Sequence, residues 1–71
     1  MNTQNIQIGE AVELISELPS MLSYAVEAKD WLMKKAYKVV QVPTDALPFF
    51  LIRHGSIVIP CDQSNISPIR L

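Results

Sequence analysis

A single cysteine, Cys61, rules out an internal disulfide, and with only one histidine, His54, the chain falls short of any structural zinc pattern. Two glycines, Gly9 and Gly55, are too few for a phosphate-cradling loop, which excludes P-loop and dinucleotide-binding fingerprints. No cofactor and no metal is expected. The densest apolar stretch, Ala46 to Ile52, is too short to span a bilayer and contains Pro48. Met1–Gln4 has neither the basic nor the apolar region of a secretory signal; with the lone thiol, this sets the expectation of a cytoplasmic protein with no membrane partner. Charge is scarce too, at 18% against 49% hydrophobic residues, where about 25% charged is ordinary. A chain of 71 residues with this ratio cannot easily cover its own apolar surface. With disulfides and metals excluded, the remaining remedy is association, so a homo-oligomer is expected.

What charge there is lies unevenly. Residues 1–28 carry Glu10, Glu13, Glu17 and Glu27 with no lysine or arginine, whereas residues 29–38 carry four lysines and one aspartate. The net charge of −1 gives no general attraction for nucleic acid or anionic membrane. The asymmetry predicts two complementary helices within one fold.

Hydrophobic spacing supports that reading. Ala11, Leu14, Ile15 and Leu18 fall at i, i+3, i+4 and i+7, predicting a first helix over about 9–18 that ends before Pro19. A second, longer helix is predicted over about 19–38, with Ser20, Ser23, Glu27, Asp30, Lys34 and Lys38 as its polar stripe and Leu22, Ala25, Leu32 and Ala36 opposite. Its end is ambiguous, because Tyr37 to Val42 also reads as a β-branched strand before Pro43. Residues 49–60 are read as a β-hairpin turning at His54-Gly55, where Gly55 supplies a positive φ. Phe50 and Ile52 would face Ile57 and Ile59, while Phe49, Leu51, Val58 and Pro60 make the second face apolar as well, which calls for cover. Residues 62–71 read as a polar tail tacked down by Ile66, Ile69 and Leu71. The expected fold is a single small α+β domain: two N-terminal helices packed on a small antiparallel sheet built around a C-terminal β-hairpin.

Candidate chemistry is thin. His54 and Cys61 are the sole nucleophile–base candidates, but hairpin pairing puts them at opposite ends, about 20 Å apart at 3.3 Å per residue. Glu10, Glu13 and Glu17 read as a solvated stripe, and no enzymatic activity is expected. Lys29 falls in the apolar stripe of the second helix, where an unpaired ammonium is costly, so pairing with Glu13 or Glu17 is expected. Tyr24 and Trp31, seven residues or two helical turns apart, form an aromatic edge flanked by Lys35. Aromatic side chains at such a border anchor interfaces, and Tyr24, Trp31 and Lys35 are the expected contact with a partner protein or a second copy.

Helix, helix, then hairpin also resembles the order of a small winged helix-turn-helix of excisionase-like architecture. That resemblance implies DNA binding through Lys34, Lys38, Arg53 and His54. The apolar hairpin strands and the acidic Glu27 and Asp30 make nucleic acid the less favoured partner. The sequence thus predicts a non-enzymatic, homodimeric interaction protein that binds and modulates another protein, with DNA binding as the alternative.

Overall fold

The computed structural model describes residues 6–21 and 23–69. Its elements are β1 (Ala11–Leu14), a 3₁₀ turn at Pro19–Met21, α1 (Val26–Met33), β2 (Ala36–Gln41), β3 (Phe50–His54), β4 (Ile57–Cys61), a 3₁₀ turn at Gln63–Asn65 and β5 (Ile66–Pro68). The five strands form one antiparallel sheet in the order β4-β3-β2-β1-β5. This corrects the expected pair of N-terminal helices, because the described chain has one eight-residue helix and is mostly β.

Both helical readings fail for identifiable reasons. In the first segment, Val12 and Leu14 point into the core while Ala11 and Glu13 point out, a period of two. Over so few residues the same apolar positions also satisfy a helical template. Pairing decides between them, since β1 is hydrogen-bonded on both sides, to β2 and to β5. Gly9, at φ 94, turns the chain into the sheet, and its N–H donates to the Val39 carbonyl at 2.8 Å.

The second segment breaks into three pieces. Pro19 begins only a 3₁₀ turn; α1 starts after Ala25, which offers no side-chain cap, and ends at Lys34. From Ala36 the chain is extended, with Tyr37 and Val39 buried between outward Ala36, Lys38 and Val40. The strand reading of this stretch therefore holds, but begins earlier than Tyr37. Only Leu32 of α1 is buried, so the helix is a minor cover rather than a layer. Leu22 and Leu71, placed by sequence in the apolar stripe and the tail, lie outside the described residues.

The hairpin is present, with its turn one residue later than expected. His54 pairs with Ile57, leaving Gly55 and Ser56 as the turn. Gly55 has φ 62 and Ser56 is not in the positive-φ region, the pattern of a II′ turn. Phe50, Ile52, Ile57 and Ile59 share one face as expected, and this is the face that meets the core, with Phe50, Ile52 and Ile59 buried in it and Ile57 packed against it. The second face, expected to be covered, leaves Val58 and Pro60 exposed.

The predicted polar tail instead closes the sheet. Only Asp62–Asn65 separate β4 from β5, which occupy opposite edges. In a flat sheet those edges would stand about 19 Å apart, four spacings of about 4.8 Å. A link that includes a 3₁₀ turn, rising about 2 Å per residue, cannot span that distance. The sheet must therefore coil until its edges converge. A bulge at Val40, where the β2–β3 register shifts between Val39 and Gln41, adds the local bend such coiling needs. The concave face holds the core: Val12, Tyr37, Val39 and Ile52 at its centre, with Met21, Phe50, Ile59 and Ile66 around them. No described helix is long and apolar enough to cross a membrane.

Candidate functional site

Trp31 lies near the C-terminal end of α1 and is 45% exposed, yet it is held on two sides. The Lys35 ammonium sits 4.2 Å from its ring centroid, a cation–π contact. His54, from the tip of β3, meets it edge-on with centroids 6.2 Å apart, and also meets buried Tyr37 at 6.0 Å. The His54 ring is itself fixed: Nδ1–H donates to the Ala36 carbonyl at 3.0 Å, leaving Nε2 as the acceptor in the neutral ring. Tyr37 donates its hydroxyl proton to the Leu32 carbonyl at 2.9 Å, and burial pushes its pKa above the ordinary 10.0. The hairpin tip is thus stitched to the α1–β2 junction, and the stitch presents an indole whose orientation is already set.

Two of the expected partner residues, Trp31 and Lys35, come together here, and His54, expected at a nucleic-acid surface, joins them. Tyr24 does not. It precedes α1, so the predicted helical edge running from Tyr24 to Trp31 is absent. The two-helix order behind the winged-helix resemblance is absent as well, among the described residues.

Lys38 and Arg53 are direct cross-strand partners on the outer face of β2 and β3, and both are exposed. Like charges placed opposite one another repel. Among the described residues the ion pairs are Lys34–Asp30 at 3.0 Å and Lys29–Glu17 at 3.7 Å, so neither Lys38 nor Arg53 is neutralised by one. The expected pairing of Lys29 with Glu17 is therefore found, although an irregular segment after β1 brings Glu17 to it rather than a helix.

Two clefts lie along β4. One, of about 260 Å³, is lined by Leu18, Pro19, Phe49, Pro60, Cys61 and Asp62, with Asn65 at its margin. The other, of about 160 Å³, lies between Met21, Tyr24 and Leu32 on one side and Ile57–Pro60 on the other. Tyr24, 49% exposed, is a wall of this second cleft. Cys61 is buried, paired in register with Phe50 at the far end of the hairpin from His54. Desolvation, reinforced by the neighbouring Asp62 carboxylate, pushes its thiol up to about 11, so the thiolate is disfavoured and no His–Cys dyad forms. No group of three or more metal-ligating side chains occurs among the described residues.

Comparison with protein-family models, with curated proteins and with solved structures finds no match to this chain. Sequence reasoning missed the roles of Pro60 and Asn65. Proline in an otherwise strand-like run signals an edge strand, a signal that was available for Pro60. Asn65 gave half a signal, since Asp62 and Asn65 have capping-box spacing, but its other partner, Ser16, is remote in sequence.

Proposed function

We propose that this protein is a non-enzymatic interaction module that binds and modulates another protein, acting as a homo-oligomer in the cytoplasm. The observation that carries the reading is Trp31: the chain's single tryptophan is nearly half exposed, yet held by Lys35 and His54. An exposed aromatic side chain with its rotamer already restricted loses little entropy on binding, which is what an interface anchor requires. The test is Trp31→Ala, with partner capture and molecular mass measured separately. Loss of capture in a folded protein of unchanged mass supports the reading. Dissociation into monomers would assign the corner to self-association instead.

A second reading is favoured by Lys38 and Arg53. An un-neutralised pair of exposed cations also suits nucleic acid, whose phosphates would meet them. Binding to heparin or mixed-sequence DNA across a salt series separates the two readings. A steep salt slope that flattens in Lys38→Ala/Arg53→Ala favours nucleic acid.

A further inference from the structure

The second edge-facing side of β4 has a pattern of backbone groups that a ligand can read. Two-residue turns place a hydrogen-bonded pair next to the turn, so His54–Ile57 is such a pair, and the pattern alternates from there. Val58 and Pro60 then occupy the non-hydrogen-bonded positions, which is the only arrangement a proline tolerates. Their backbone groups point away from β3. No hydrogen bond from outside the hairpin reaches the Val58 N–H or the carbonyls of Val58 and Pro60 among the described residues. The free edge thus offers one donor and two acceptors.

That edge runs through both clefts. Pro60 lines each of them, and the opposite wall is formed by the β1–β2 connection at Leu18, Pro19, Met21, Tyr24 and Leu32. The clefts are therefore two widenings of one trough beside the seam of the coiled sheet, about 16 Å long for five residues of strand. Asp62 puts a negative charge at the β5 end of the trough.

We propose that this trough is a binding site for a short extended peptide, which adds to β4 as a sixth strand. The peptide accepts from the Val58 N–H and donates to the carbonyls of Val58 and Pro60. It carries apolar side chains at alternate positions and a basic residue near Asp62. A second copy of β4 fits poorly: two such edges together bring two N–H donors to four carbonyls. A foreign peptide with a full set of amides makes the better ladder. The proposal deepens the protein-binding reading but uses a different surface from Trp31.

The test is selection of a phage-displayed random dodecapeptide library on the full chain, followed by titration of one selected peptide into isotope-labelled protein. The expected result has four parts: enrichment of peptides with alternating apolar residues, exchange of the Val58 amide slowed at least tenfold on binding, affinity at least tenfold weaker in Val58→Pro, and affinity unchanged in Trp31→Ala. If Val58→Pro does not fold, Tyr24→Ala in the opposite wall and the wild-type Val58 amide decide the matter. Absence of enrichment, or a Val58 amide that is unaffected by the peptide, overturns the proposal. So does peptide binding abolished by Trp31→Ala alone. Val58 protection that rises with protein concentration in the absence of peptide would assign the trough to a second copy and overturn it equally.

Discussion

Asn65 donates from Nδ2 to the Ser16 hydroxyl at 2.8 Å, joining the turn before β5 to the residue that follows β1 by two positions. The same side chain accepts from the Asp62 N–H through Oδ1 at 2.9 Å, and the Asn65 carbonyl accepts from the Ile15 N–H at 2.8 Å. One half-buried residue therefore fixes both the 3₁₀ turn and the β1–β5 ladder. Asn65→Ala is expected to destabilise by about 1–3 kcal/mol, since two side-chain hydrogen bonds are lost together. Ser16→Ala should cost less, and the double variant should fall short of the sum. Urea denaturation of the three variants measures all of this.

Cys61 makes stability fall at alkaline pH. Its folded thiol ionises near 11 rather than the ordinary 9.0, so the unfolded chain loses its proton first. The raised folded pKa means that stability is fully present below pH 9 and is lost as pH rises from there towards 11, by at most about 1.4 kcal/mol per pH unit. Cys61→Val should flatten that part of the curve. Denaturation midpoints at pH 8, 9 and 10, compared between wild type and variant, check the sign.

Arg53→Glu places an opposite charge across from Lys38 and should raise stability by about 0.5–1 kcal/mol. A natural sequence that keeps repulsion where attraction is one substitution away is expected to use the cations. The same variant should therefore weaken heparin binding if the nucleic-acid reading holds.

Gly55→Ala isolates the cost of a backbone conformation. A Cβ at this position meets nothing within 4 Å, so the penalty comes from φ 62 alone. A loss of about 1–2 kcal/mol is expected, measured by thermal or urea unfolding.

How far the sequence discloses this fold depends on how local the deciding interaction is. The hairpin is legible because Gly55 and the flanking β-branched runs settle it within a dozen residues; only the turn register slips, since His54 and Ser56 can each sit beside Gly55. β1 is misread because Val12 and Leu14 alternate over four residues, a length at which helical and extended templates both fit. β5 is not legible at all. Ile66–Pro68 is three residues long and becomes a strand through β1, not through its own composition. The same division holds at the site. Trp31 and Lys35 stand out as an aromatic and a cation one helical turn apart, whereas the meeting of Trp31 with His54 needs the hairpin folded back on the helix.

The pairing of Val12 with Pro68 has a kinetic consequence. Almost the whole described chain lies between these partners, so closing the sheet demands a long loop before the final contacts repay it, and topologies of this kind fold slowly. The β2–β3–β4 meander can form first from neighbours in sequence. Until β5 arrives, β1 keeps one bare edge next to Val12 and Leu14, and it is this half-assembled species, rather than the finished sheet with prolines on both rims, that is most exposed to misassociation with other nascent chains.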